Sequence, residues 1–245
     1  MNLQKLPWAG IRVQAGATSV AIDPLYHFPA KYGESREPLY PLGEFGAVDA
    51  VLITHHHADH FDPEAIKTFY GADTPVFLPA ETAHLAREAG LANVRGAGAG
   101  ETFEIGSLRA TAAPAVDGMG DPQVSWVVEG DGKRIFHGGD TLWHGYWWAV
   151  AAEHGPFDAA CLPVNGAVLE LPGRTPSGQP ICLTPEQAVA AAVVLGAKRL
   201  VPIHYVAIHH PPLYRETSDI PDRLAAAARD RIQLNVLQAK ETLRL

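Results

Sequence analysis

The sequence predicts an α/β fold of two mixed sheets with helices on their outer faces, and three patterns carry that expectation. Short apolar runs recur along the chain, several alternating apolar with polar residues as half-buried strands do. Between them stand segments with helix punctuation: a proline-led start at Asp62-Pro63, a capping box at Thr184-Pro185-Glu186-Gln187, and stops at Gly90 and Gly196. No internal repeat and no shift in composition marks a linker, so one domain over residues 1–245 is expected.

Taken in order, IRVQAG and TSVAID, between Leu3 and Ile22, suit a hairpin better than a helix. Residues 24–46 are punctuated by Pro24, Pro29, Gly33, Pro38, Pro41, Gly43 and Gly46 among aromatic residues, which predicts an ordered loop rather than a solvated linker. DAVLITH, from Asp49 to His55, is an apolar strand that ends abruptly in polar residues, and a helix from Asp62 to about Phe69 follows. PVFLP is a short strand, and a helix from Glu81 to Glu88 stops at Gly90. ETFEIGSLRATAAPA, QVSWVVEG and KRIFHGGD then alternate as the strands of a second sheet. The strand DAACLPV leads into a second long loop, Asn165 to Pro180, before the capped helix that stops at Gly196. RLVPIHY, a His/Pro loop, a helix around Leu224 to Arg229 and a strand IQLNVLQ complete the reading.

Composition narrows the function classes. The chain is 47% hydrophobic and 19% charged, enough to bury a sizeable core. Nineteen Lys and Arg against 27 Asp and Glu give a net charge of -8, with no basic stretch to track a phosphate backbone, so nucleic acid is not expected as a partner. Cys161 and Cys182 stand far apart and read as free thiols of a reducing compartment. The first residues lack the apolar core of a signal peptide, and no apolar run approaches the ~20 residues of a membrane span, so a cytoplasmic protein is expected. The expected partner is a small-molecule substrate, with homo-oligomerisation left open.

The informative segment is Thr54-His55-His56-His57-Ala58-Asp59-His60, between an apolar strand and a capped helix. Residues i and i+2 of an extended segment point the same way, so His55 and His57 can share one metal ion. Asp59 and His60 lie on the turn into the helix, where they can face a second. Two ions about 3.5–4 Å apart are what metal-assisted hydrolysis uses to hold and activate water. A His-rich tag scar is excluded because the run is flanked by secondary structure rather than placed at a terminus.

His55, His57, Asp59 and His60 match the H-x-H-x-D-H motif of the metallo-β-lactamase superfamily, which the sequence resembles over nearly its whole length. Gly139-Asp140-Thr141 is similar to the family's GDT turn, implying Asp140 as a carboxylate bridging both ions. Pro202-Ile203-His204-Tyr205 is similar to its last ligand motif, implying His204 on the second ion. Among its branches, the order of motifs from PWAGIRVQAG to VPIHY most resembles the ascorbate 6-phosphate lactonase-like hydrolases. The resemblance implies a four-layered αβ/βα sandwich and two divalent ions, Zn²⁺ or Mn²⁺.

The sequence departs from that pattern at one place. Where this branch has PA-x-His, supplying a third histidine to the first ion, the chain has Pro114-Ala115-Val116-Asp117. Asp117 is therefore expected as the ligand there, at the ≈2.0–2.2 Å of a zinc carboxylate bond. A third carboxylate lowers the Lewis acidity of the site and favours a harder ion such as Mn²⁺. The bland alternative makes Asp117 only a turn residue before Gly118. Replacement by His is expected to be accepted.

Other residues are weighed by position. Trp143, His144, Tyr205 and His209 follow the GDT and PIHY motifs and are expected near the substrate, with Asn165, at the end of DAACLPV, orienting it. Asp23 is expected to be structural, and His56, His84 and His137 to be core, outer-shell or surface histidines. The expected activity is metal-dependent hydrolysis of a small ester, lactone or phosphoester, with Asp59, Asp140 and His204 as catalytic groups and loops 24–46 and 165–180 walling the substrate pocket with Tyr and Leu. A phosphodiesterase acting on a small or lipid-like diester, or a metal-binding protein with little turnover because of Asp117, are the alternatives.

Overall fold

The computed structural model describes residues 1–245. Its strands are β1 (Asn2–Lys5), β2 (Ile11–Ala15), β3 (Thr18–Ile22), β4 (Ala50–Leu52), β5 (Val76–Pro79), β6 (Val94–Ala97), β7 (Thr102–Ile105), β8 (Leu108–Pro114), β9 (Val124–Gly130), β10 (Lys133–His137), β11 (Ala159–Pro163), β12 (Val168–Leu169), β13 (Arg199–Ile203), β14 (Tyr214–Arg215), β15 (Gln233–Leu234) and β16 (Thr242–Arg244). The helices are α1 (Pro63–Phe69), α2 (Ala83–Glu88), α3 (Trp147–His154), α4 (Pro185–Val194) and α5 (Ile220–Ala228).

Two seven-stranded mixed sheets run in the order β16-β1-β2-β3-β4-β5-β6 and β15-β13-β11-β10-β9-β8-β7. Alternation along the strands builds the layers. Trp126 and Val128 of β9, and Ala159 and Cys161 of β11, pack between the sheets against Val13, Ile22 and Leu52. Val127, Ala160 and Leu162 face the other way, under Trp147, Val189 and Leu224 of α3, α4 and α5. On the far side Val51, Val76 and Leu78 pack under Ile66 and Ala86 of α1 and α2. The result is the four-layer arrangement expected of the sequence. Cys161 and Cys182 are free and buried, and no helix is long and apolar enough to cross a membrane.

The local signals fall where their chemistry requires. The Asp62 side chain caps α1 by accepting from Ala65 N, and both halves of the capping box at Thr184 and Gln187 are formed at α4. Helix α3 has no side-chain cap and starts inside the aromatic run at Tyr146, so it escapes pattern reading. IQLNVLQ contributes only Gln233–Leu234, while β16 closes the first sheet by pairing with β1, a contact between chain ends that no local signal announces.

The arrangement gathers five strand ends. In the first sheet β3 and β4 are parallel, and in the second β8, β10 and β13 share one direction. Their C-terminal ends deliver Asp23, the Thr54–His60 segment, Asp117, Asp140 and His204 to one edge of the molecule, the crevice outside strand carboxyl ends where α/β sheets bind ligands.

Candidate metal centre

The ligand-type residues fall into two groups. His55, His57, Asp117 and Asp140 form one, and Asp59, His60 and His204 the other, each with its nearest N and O atoms within 4.8 Å of one another. In the first, His55 Nε2 lies 2.9 Å from His57 Nδ1 and 3.6 Å from Asp140 Oδ2, and His57 Nδ1 lies 3.9 Å from Asp117 Oδ1. In the second, Asp59 Oδ2 lies 3.7 Å from His60 Nε2 and 3.5 Å from His204 Nε2. Ligands about 2.1 Å from one tetrahedral ion stand roughly 3.4 Å apart, so these spacings suit a shared ion.

Partners outside each group aim the rings inward. Asp23 accepts from Thr54 N at 2.8 Å, from Thr54 Oγ1 at 2.6 Å and from His60 Nδ1 at 2.8 Å, which turns the His60 Nε2 lone pair toward Asp59. Thr54 Oγ1 is also 3.1 Å from His55 Nδ1, and His57 Nε2 donates to Asp121 Oδ2 at 2.9 Å. Carboxylate partners of this kind fix tautomer and orientation. The expectation that Asp23 is merely structural therefore understates it, because its side chain sets the geometry of a candidate ligand.

Asp117 commits one of its oxygens to the turn and not the other. Its Oδ2 accepts from Met119 N at 2.7 Å and Asp121 N at 2.9 Å, which makes it a turn residue, while its Oδ1 is buried without a partner.

The protonation states follow from burial and neighbours. Burial drives His204 down to about 4 and, with His60 and His57 nearby, holds His55 well below the usual histidine range. Burial opposes ionisation of Asp59, yet His60 and His204 hold its carboxyl well below the usual range. Burial, opposed by His60 and reinforced by Asp117, pushes Asp140 up to about 7. His55 and His204 as neutral imidazoles and Asp59 as a carboxylate are in the forms that bind metal, whereas at His60 burial is outweighed by Asp59 and Asp23, which push it up to about 9, so a cation there has to displace a proton.

Asp117 Oδ1, Asp140 Oδ1, His60 Nε2 and both ring nitrogens of His204 are buried without any hydrogen-bond partner. Each such group costs about 1–3 kcal/mol if left unpaired, and their convergence at one place fits a bound cation.

A cavity of about 330 Å³ opens over the two groups, lined by His57, Asp59, Asp140 and His204. Lys31 and Tyr32 enter it from the loop 24–46, and Leu169, Leu171 and Arg174 from the segment after Asn165. Both long loops face the metal groups, with the Tyr and Leu walls expected of them.

Several expected substrate contacts lie elsewhere. Trp143 is exposed and packs on Trp148, and the ring of His144 stacks on Trp147 at 4.3 Å, because α3 draws this run onto the helical layer rather than into the cavity. Exposed His209 does not line it either. Tyr205 faces a separate cavity of about 360 Å³ with Lys5 and Glu37. Asn165 is fully buried one layer down, donating from Nδ2 to the Tyr214 hydroxyl at 2.7 Å and accepting from Cys182 Sγ at 2.6 Å. His137 bonds to Ala9 O at 2.9 Å, a structural role.

The sequence reading missed Trp8, whose indole N–H donates to Asp59 Oδ2 at 3.1 Å and whose ring packs 4.2 Å from that of His204. It also passed over Tyr214, which sits edge-to-face with Tyr32 at 5.3 Å in the cavity wall. The only local sign was a Trp between Pro7 and Ala9 in the turn before Gly10.

A family model, the β-lactamase superfamily domain, matches residues 18–205. The chain belongs to the β-lactamase superfamily. Within that superfamily it is 31% identical over 192 residues to a metal-dependent hydrolase of Korarchaeum cryptofilum, covering 78% of this chain and 77% of that one. Its fold is that of a metallo hydrolase from Ignicoccus hospitalis (TM-score 0.73, 22% identity, 99% and 97% of the two chains). It is also that of an isothiocyanate hydrolase from Delia radicum gut bacteria (TM-score 0.79, 22% identity, 100% and 99%). Superfamily membership, relatives that are metal-dependent hydrolases and two groups of ligand-type residues make this chain a metal-dependent hydrolase.

Proposed function

We infer that the chain hydrolyses a carboxylic ester or lactone of a small molecule, using two divalent ions. The observation that carries this reading is the set of buried ligand atoms without partners around one cavity. In this reading His55, His57, Asp117 and Asp140 would hold one ion and Asp59, His60 and His204 the other. Bound ions supply charge for a developing oxyanion and lower the pKa of water. Three carboxylates in the donor set favour Mn²⁺ beside Zn²⁺.

The remaining work belongs to the cavity wall. The Tyr32 hydroxyl is kept protonated by burial and by nearby Asp59 and Asp140, and it lines the cavity, free to donate to a substrate oxygen. Asn165 occupies one lone pair of Tyr214, leaving that hydroxyl's hydrogen for a group in the cavity.

A second reading, hydrolysis of a small phosphodiester, is favoured by Lys31 and Arg174, two cations on the same cavity. Metal analysis, with assays of metal-loaded protein against chromogenic esters, lactones and phosphodiesters, separates them. Ester or lactone turnover lost on chelation is expected, phosphodiester turnover alone transfers the activity to the second reading, and absence of bound metal after reconstitution overturns both.

A further inference from the structure

A second cavity of about 260 Å³ adjoins the one over the metal groups. The two share Met119, Leu169, Leu171, Arg174 and Ile181, so the polar cavity and this shallower annex meet along one wall. Met119, Leu169, Leu171 and Ile181 form its apolar wall; of its polar side chains, Ser177 is engaged, its Oγ accepting from Leu169 N at 3.1 Å and donating to Gln179 O at 2.8 Å, and Thr175 lies exposed on the outer loop. Arg174 stands at its edge, exposed to solvent.

The annex is built rather than incidental. Ser177 N donates to Leu169 O at 2.9 Å and Arg174 N to Leu171 O at 3.1 Å, which folds the 170–180 loop back on its own base. Ile181 N is fixed to Ala167 O at 2.8 Å. On the facing side, Met119 is held by Asp117 Oδ2, so the carboxylate that reaches toward the metal groups also sets the annex wall. A substrate whose reacting carbon lies among Asp59, Asp140 and His204 has this surface as the continuation of its cavity.

We propose that the annex receives an unbranched or aryl apolar arm attached to the carbonyl, making the preferred substrates medium-chain acyl esters or alkyl-substituted lactones rather than polyhydroxylated or sugar-like ones. This rests on the hydrolase reading of the same cavity. An apolar arm exchanges water for Leu169, Leu171, Ile181 and Met119, worth roughly fourfold in binding per methylene. A polyol arm there leaves its hydroxyls unpaired against the same side chains.

The test uses the metal-loaded protein and p-nitrophenyl acetate, butyrate, hexanoate and octanoate, with binding of the corresponding carboxylates measured by calorimetry. kcat/KM is expected to climb by about fourfold per methylene through hexanoate. Met119→Trp, which fills the annex, and Leu171→Ser, which makes its wall polar, are each expected to lower the hexanoate-to-acetate ratio at least tenfold. A flat chain-length profile, or a ratio unchanged in both folded variants, overturns the proposal. If no ester is turned over, carboxylate affinity that rises with length in wild type and not in Met119→Trp sustains the annex while the ester-hydrolase reading fails. Flat carboxylate affinity overturns the annex itself.

Discussion

The indole N–H of Trp8 donates to the same Asp59 oxygen that faces His60 Nε2 and His204 Nε2, and its ring lies against His204, so one residue from the first turn of the chain braces two candidate ligands. Its backbone is held in turn: Lys5 Nζ donates to Trp8 O at 2.6 Å, and Trp8 N donates to Glu37 Oε1. Trp8 and His204 both adopt left-handed backbone conformations, with φ of 56° and 59°. Such residues cost about 1–3 kcal/mol each and persist where the surroundings over-determine them, as they do here.

Trp8→Phe keeps the ring and removes the N–H. Loss of a partner outside the ligand set costs about 10–100-fold in metal affinity, so the Asp59–His60–His204 group should weaken by that much while the other group changes little. Calorimetric titration reads this. In wild type, a paramagnetic ion such as Co²⁺ should quench the Trp8 contribution to fluorescence, and identical quenching in Trp8→Phe would contradict the assignment.

Metal removal should destabilise the fold. The buried carboxylate oxygens and imidazole nitrogens that a cation would satisfy are left unpaired without one. At ion concentrations about 100 times Kd the linkage is worth about 2.7 kcal/mol, or roughly 5–10 °C in Tm for a chain of this size. A thermal melt before and after dialysis against chelator, with metal content measured on both samples, checks it; an unchanged melt of demonstrably metal-free protein would count against the two-ion centre.

Asp117 holds its turn with one oxygen and leaves the other without a partner, and its variants separate a turn role from ligation. Asp117→Ala removes a candidate ligand and the acceptor of two backbone N–H groups, so it should lose at least about 10–100-fold in affinity at the first group and about 1–3 kcal/mol of stability. Asp117→His restores the nitrogen usual in the family but cannot accept from both Met119 N and Asp121 N. The ready acceptance of His expected from the motif is therefore replaced by a split outcome, metal binding retained with a lower Tm. Superimposable metal titrations of wild type and the Ala variant would refute ligation by Asp117.

Asp23→Asn presents one acceptor oxygen and an amide N–H₂ to three donors, Thr54 N, Thr54 Oγ1 and His60 Nδ1. The expected cost is about 1–3 kcal/mol from the unpaired donor, together with a drop of about 10–100-fold in metal affinity as His60 loses its fixed tautomer. Denaturant melts and metal titration of the same sample measure both. Stability loss with unchanged metal affinity would assign Asp23 to the fold alone.

Gly118 lies between the Asp117 turn and the Ile181 backbone so closely that a Cβ there would run into the Ile181 carbonyl. Gly118→Ala must push the two segments apart, at about 1–3 kcal/mol for overpacking. Thermal melts should show a Tm several degrees lower, and a wild-type Tm would show that the segments yield freely.

What the sequence determined by itself is whatever depends on spacing within one segment. The HxHxDH run, the Asp62 and Thr184 caps, the alternating strands of the second sheet and the break at Asp117 are all written over a few residues, where side-chain direction follows from local backbone period. The two sheets and the grouping of His55 with His57 and of Asp59 with His60 were legible for that reason. Tertiary structure decided everything that depends on which segments meet. It brought Trp8 onto Asp59 across 51 positions, paired β16 with β1, and turned Trp143 and His144 onto the helical layer. It also buried Asn165 beneath Tyr214 and set Asp117 Oδ2 on the backbone of Met119 and Asp121. Long-range pairing is fixed by the packing of whole layers, whose energy is spread over many weak apolar contacts, and no single residue carries a mark of its distant neighbour.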